Sequence, residues 1–404
     1  MASIFPFAAL RPAPQVAAAV ASVPYDVVST DEARALAQGN PLSFLHVSRA
    51  EIDLPPGTDP YSDAVYERAT ENFHDLRSRA PLVEEDVPTF YVYELQMGTH
   101  VQTGIAACFS IDEYDNDLIK KHEKTRPDKE DDRTRHMLAI SAQTGPVFLT
   151  YAASAAVDAV IARATTAAPL FDFTAPDGIR HRVWTVDVGD HAAIVDGFAV
   201  IPALYIADGH HRAASAARAR RALAKRGAGE HDRVMAVAFP DNQMQILPYN
   251  RVVKDLSGMS PDAFLTAVRK HARVTEAASE APARKGQIMM YLDGRWYDLD
   301  MSAVTAGRDA AAALDVSILQ DTILDPVLGI KDVRTDKRID FVGGIRGTAE
   351  LKRLVDSGAW AVAFSLYPVT VGDLMAIADA GGIMPPKSTW FEPKLRDGLL
   401  SHLI

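Results

Sequence analysis

Leu204-Tyr205-Ile206-Ala207-Asp208-Gly209-His210-His211-Arg212 reads as a short apolar strand that runs into a glycine and emerges as a helix. The helix continues in Ala and Arg to about Arg226, and Gly227 is well placed to stop it. The first amides of a helix have no internal partner, and the helix dipole puts partial positive charge on them. Gly209 lets a ligand approach the backbone without a side-chain clash. Phosphate is the natural ligand of such a junction. His210, His211 and Arg212 add side-chain donors in the first turn, and Arg212 can grip phosphate oxygens in a fork. Asp208 would repel phosphate unless a divalent cation lies between them, which points to magnesium. An ordinary reading also fits: Asp208 caps the helix, the histidines lie on the surface, and Arg212 pairs with a neighbouring acid. Zinc is the weaker alternative, because adjacent histidines diverge around a helix.

Upstream of this junction, residues 90–95 and 101–111 predict a hairpin around Met97-Gly98-Thr99. A charged loop follows, Lys120-Lys121-His122-Glu123-Lys124-Thr125-Arg126-Pro127, then a helix over 128–142 ended by Gly145-Pro146 and a strand over 147–151. Residues 152–166 read as a helix and 171–188 as a hairpin turning at Pro176-Asp177-Gly178. Downstream, 234–239 and 244–247 are expected to form one more strand pair. Near the start, Ser29 is a good cap for a helix, 59–79 predicts a second helix, and Pro24-Tyr25-Asp26-Val27 reads as an ordinary turn, with a place facing the cleft as the weaker alternative. The expected organisation is an N-terminal α/β segment (1–89), a core (90–250) with an insertion at about 152–203, and a C-terminal α+β domain (251–380). A tail (381–404) is free to return to the site.

The chain has 404 residues, 48% of them hydrophobic and 24% charged, a composition suited to a folded chain of two or three domains. No apolar run reaches the length of a membrane span, and the N-terminus lacks the pattern of a secretory signal, so a cytoplasmic address is expected. The one cysteine, Cys108, excludes an internal disulfide and reads as a small core residue of a buried strand. A net charge of -11 argues against a nucleic-acid binder while leaving room for a nucleotide, which a few local cations can hold. Oligomeric state is not legible.

The string Ile206-Ala207-Asp208-Gly209-His210-His211-Arg212, followed by a small-residue helix, resembles the signature of the ParB/sulfiredoxin superfamily. Within it, D-G-H-H-R is similar to the free L-serine kinases, which use ATP or ADP. That resemblance implies an upstream catalytic glutamate, and His122-Glu123, ahead of a helix and a strand, puts it at Glu123. Over nearly its whole length the chain also resembles the bacterial domain-of-unknown-function family 1015. Phe7-Ala8-Ala9-Leu10-Arg11-Pro12, Lys121-His122-Glu123-Lys124-Thr125 and Met384-Pro385-Pro386-Lys387-Ser388-Thr389-Trp390-Phe391 carry that likeness. The implied fold is α+β with a ParB/sulfiredoxin-like nucleotide-binding core.

The expected phosphotransferase would use Glu123, His210 and Arg212 in catalysis, and Asp208, Gly209, His210, His211 and Arg212 for the nucleotide. Lys124, Thr125 and Arg126 would assist with phosphate, and Asp208 would hold Mg2+. Lys387, Ser388 and Thr389 could close over a phosphate or a substrate carboxylate, or merely anchor the tail. The acceptor would be free L-serine or a similar hydroxylated metabolite. A nucleotide-binding regulator built like ParB proteins is the main alternative. A sulfiredoxin-like redox enzyme would need an accessible cysteine.

Overall fold

The computed structural model describes residues 2–80 and 82–404. The chain is α+β and folds as two compact units, Met1–Met244 with Pro393–Ile404, and Gln245–Glu392.

The first unit is built on a mixed sheet. Its strands are β1 (Ile4–Phe5), β2 (Tyr91–Met97), β3 (His100–Ser110), β4 (Ile119–Lys120), β5 (Val147–Tyr151), β6 (Phe171–Thr174), β7 (Arg180–Thr185), β8 (Leu204–Asp208) and β9 (Arg233–Pro240). They lie in the order β4-β8-β5-β9-β3-β2-β7-β6, with β1 on β3. β2 and β3 are the expected hairpin, closed at Met97 opposite His100. β6 and β7 form the second hairpin, so the stretch read as an insertion extends the main sheet through β2.

The pairing expected between 234–239 and 244–247 is not formed. β9 is bonded to β5 on one side and β3 on the other, which leaves it no edge to offer. Ile246–Leu247 instead pairs with Trp390–Phe391 in the second unit.

Five helices of the first unit matter for the site: α1 (Asp63–Arg79), α2 (Pro127–Ile140), α3 (Ala155–Ala164), α4 (His191–Ala199) and α5 (His210–Leu223). Alternate strand residues such as Val92, Ile105, Ala107, Val147, Leu149, Ile206 and Ala236 share a core with Val157 and Val160 of α3 and Ile194 and Phe198 of α4. Ala213, Ala216, Ala217 and Ala219 are buried in the same core, small enough for α5 to lie close to its neighbours. α2 packs on α5, and α1 packs on α2. α1 buries Val65, Tyr66, Ala69, Phe73 and Leu76, the stripe that helical spacing requires, and Tyr66 donates a 2.9 Å hydrogen bond to Asp132 on α2. The segment before residue 90 therefore belongs to the same unit as the central sheet.

The last twelve residues close this unit. Ser401–Leu403 lies between Ala9–Arg11 and Ala142–Gln143 in a small sheet, and Ser22 and Asp397 exchange backbone hydrogen bonds.

In the second unit, β10 (Tyr249–Val253), β11 (Arg273–Glu276), β12 (Gln287–Leu292), β13 (Arg295–Asp300), β14 (Ile339–Gly343) and β15 (Val362–Ser365) form an antiparallel sheet. Their order is β11-β13-β12-β15-β10-β14. Val252, Val342 and Ala363 share a core with Leu351 and Val355 of α6 (Gly347–Asp356). Among the described residues, no helix is long and apolar enough to cross a membrane.

Deleting residues 393–404 removes a sheet strand together with the buried Leu395, Leu399 and Leu400. At about 1.5–3 kcal/mol for each buried leucine, the first unit should lose roughly 5 kcal/mol or more, read as a fall in its urea midpoint.

Candidate functional site

β8 ends at Asp208, and Gly209 makes the turn into α5 with φ of 94°. That left-handed conformation favours glycine, and a Cβ there would also meet the Arg212 guanidinium at 2.9 Å. Arg212 folds back over the turn. Its Nη2 donates to Asp208 Oδ2 at 3.1 Å and its Nη1 to the carbonyl of Pro146. Lys394 reaches the same Asp208 oxygen at 3.5 Å. Burial opposes ionisation of Asp208, but Lys394 and Arg212 beside it hold its carboxyl well below the usual carboxylate range. Arg212 is buried too, a desolvation that Asp208, Asp26, Asp397 and Tyr25 together more than offset, so its pKa is raised. No side chain caps α5, so Asp208 is the partner of Arg212 rather than a helix cap.

The parallel pairing of β4 with β8, Leu204 opposite Ile119 and Tyr205 opposite Lys120, carries the loop after β4 to the start of α5. Two histidines fasten it. The amide of His122 donates to His210 Nε2 at 3.4 Å, and the amide of Arg126 donates to His211 Nε2 at 3.1 Å. The His122 and His210 rings meet edge to face at 4.4 Å. Burial lowers the pKa of all three, that of His122 to about 4, so near neutral pH the imidazoles are uncharged and can accept these bonds.

Glu123 lies exposed between the two fastened amides, with Lys124 exposed beside it. Thr125 donates its hydroxyl to Glu130 of α2, and Arg126 forms an exposed pair with Asp128. The junction thus brings together Asp208, Gly209, His210, His211 and Arg212 with the loop that carries Glu123. Lys387, Ser388 and Thr389 fall in the second unit.

Sequence reasoning missed several groups here. Lys394 and Asp397 come from the far end of the chain, and Pro146, expected only to end a helix, supplies a carbonyl to Arg212. Gly145 is crowded for the same reason: a Cβ on it would meet Asp397 Oδ1 at 2.8 Å. Behind Arg212 a cavity of about 40 Å³, roomy enough for water, is lined by Tyr25, Ser48, Arg133, His136 and Asp397 among others. Arg133 stacks on Tyr25 at 4.1 Å, which puts the early turn at this cavity. Apart from the Pro24-Tyr25-Asp26-Val27 turn, no local sequence pattern marks these residues.

Among the described residues no group of three His, Cys, Asp or Glu could hold a metal ion. Asp208 is already met by two cations, so the residues present do not form a cage for magnesium. Cys108 is fully buried in β3, and burial pushes its thiol well up, so this thiol is not accessible for redox chemistry.

A family model described as "Protein of unknown function (DUF1015)" matches residues 4–317. No curated protein matches the sequence. Similar solved structures include a free serine kinase in complex with AMP, at 14% identity over 73% of this chain and 91% of that one, with a TM-score of 0.37. A conserved hypothetical protein from Pyrococcus furiosus matches at 15% identity over 74% and 95%, TM-score 0.35. SbnI with a C-terminal truncation, from Staphylococcus aureus, matches at 12% identity over 74% and 87%, TM-score 0.39. Likeness at this level assigns no function to the chain.

Two outcomes test the geometry. Gly209→Ala should lower stability by more than about 1 kcal/mol in chemical denaturation, because it forces a left-handed alanine against Arg212. The histidines make stability depend on pH. Their lowered pKa values give a contribution that is complete above about pH 6.5 and is lost as the pH falls towards about 4, where His122 protonates in the fold. Asp397, pushed up to about 7 by burial, acts in the opposite sense, one carboxyl against three imidazoles. Urea midpoints should therefore fall on acidification, and His210→Gln, which keeps an acceptor that does not titrate, should flatten the slope.

Proposed function

The chain belongs to the DUF1015 family, whose description names no activity, and from its own site we propose that it is a phosphotransferase. It moves the terminal phosphoryl group of ATP or ADP to the hydroxyl of a small metabolite, free L-serine or a close analogue. The core of the first unit is read here as a ParB/sulfiredoxin-like nucleotide-binding core, with the amides at the start of α5 facing the phosphates.

One observation carries this reading. Glu123 is an exposed carboxylate on a loop that His210 and His211 tie to the start of α5 on both of its sides. A general base must be accessible to a substrate hydroxyl and held at the anion-binding end of the junction, and this loop supplies both conditions. Glu123 takes the hydroxyl proton as the oxygen attacks the terminal phosphorus. The bond from that phosphorus to the bridging oxygen breaks, leaving ADP or AMP with the electron pair. Lys124 is available to the phosphate oxygens. His210 and Arg212 act by position: the neutral imidazole fixes the loop, and the guanidinium fixes the turn through Asp208 and Pro146. Since Asp208 is neutralised by Lys394 and Arg212, a magnesium ion would enter as the counter-ion of the nucleotide, and no step is assigned to it.

The test is phosphorus NMR on the purified protein with magnesium, ATP or ADP, and L-serine beside other hydroxylated metabolites. A new phosphate ester is expected. Glu123→Gln should slow its formation by about 10²–10⁴-fold while nucleotide affinity changes little. Full turnover in Glu123→Gln would remove the general-base assignment. Nucleotide binding without an ester from any acceptor would favour the regulatory alternative.

A further inference from the structure

The second unit holds a buried cation with no carboxylate to answer it. Arg251, in β10 between β15 and the edge strand β14, is 3% exposed. Its Nη1 donates to the carbonyl of Tyr249 and its Nη2 to the carbonyl of Lys387 at 2.9 Å. The guanidinium carbon lies 5.1 Å from the centre of the Phe341 ring and 6.0 Å from that of Tyr249. A second cation shares the place, with Lys387 Nζ 5.5 Å from the same Tyr249 ring centre. Among the described residues neither cation forms an ion pair. Asp340, on the neighbouring strand β14, accepts from the amide of Phe341, and Glu392, just past Trp390–Phe391, accepts from Trp390 Nε1.

Carbonyl oxygens and aromatic faces offset part of the cost of burying a guanidinium, but they bring no charge. Burial lowers the Arg251 pKa to about 9, with only Tyr249 acting against it. The turn that presents Lys387 is built at a cost as well. Lys387 has φ of 59°, a left-handed conformation unfavourable for a residue with a Cβ. The hydroxyl of Ser388 holds that turn by donating to Pro385 at 2.6 Å, while Arg251 holds the Lys387 carbonyl. Ser388 is therefore a brace of the loop, and Lys387 is the exposed charge it displays.

We propose that Arg251 and Lys387 form an anion site within the second unit that takes a phosphoryl group, with Tyr249 and Phe341 as its walls. One buried cation and one exposed cation, neither in an ion pair among the described residues, suit a multiply charged phosphate better than a single carboxylate. The site uses no residue of the first unit and does not depend on the role given to Glu123.

Calorimetric titration of the full chain with pyrophosphate tests this. The wild type is expected to bind, more weakly as salt rises. Lys387→Met changes an exposed side chain and should leave the ligand-free melting temperature unchanged. It should weaken binding by about tenfold or more, the loss of one charge-assisted hydrogen bond. Arg251→Lys should weaken it too, and Glu123→Gln should not, so failure here is distinct from failure of the phosphotransferase reading. Competition by ADP would identify a nucleotide phosphate as the ligand, and competition by phosphoserine alone a phosphorylated metabolite. Wild-type affinity in both Lys387→Met and Arg251→Lys, or no pyrophosphate binding at all, would overturn the proposal.

Discussion

Asp208 is a carboxylate removed from most of its water, and such a group persists in a fold only when cations are brought to it. Much of the first unit answers to that requirement. Arg212 comes from the first turn of the helix that follows, and Lys394 comes from the end of the chain. The second arm of Arg212 reaches the carbonyl of Pro146, where α2 gives way to β5. One charge thus ties together β8, α5, the loop ahead of β5 and the C-terminal segment. Gly209 is small because Arg212 crowds against it, and Gly145 because Asp397 does.

The histidines have a different part. Adjacent histidines at a helix start suggest cations waiting for an anion, yet their Nε2 atoms are taken up as acceptors for amides of the neighbouring loop. That use needs them neutral, and burial keeps them so. Where positive potential survives at this junction, it lies on the helix amides and on Lys124 rather than on the imidazoles. The loop that carries Glu123 is thereby fixed at two points while its middle stays exposed to solvent.

The second unit shows the opposite balance. Around Asp208 two cations answer one carboxylate, whereas Arg251 and Lys387 meet only carbonyl oxygens and rings. In the first case the charges complete one another within the protein, which suits a structural anchor. In the second they are left for something else to complete.

The sequence by itself determined what depends on near neighbours along the chain. Alternation over 90–111 produced the β2–β3 hairpin, Pro176-Asp177-Gly178 turned the β6–β7 hairpin, and Gly209 marked the change from strand to helix. Each rests on a backbone preference or a two-residue period that a single segment expresses. Tertiary structure alone decided which edges met: β9 was claimed on both sides, so 246–247 found its partner at 390–391. It also decided that residues 393–404 belong with the first unit, and that Lys394, Asp397 and Pro146 stand beside the Asp-Gly-His-His-Arg turn. A lone lysine in a proline-rich tail carries no local signal, because its role is set by a carboxylate 186 residues away whose burial exists only once the sheet has formed.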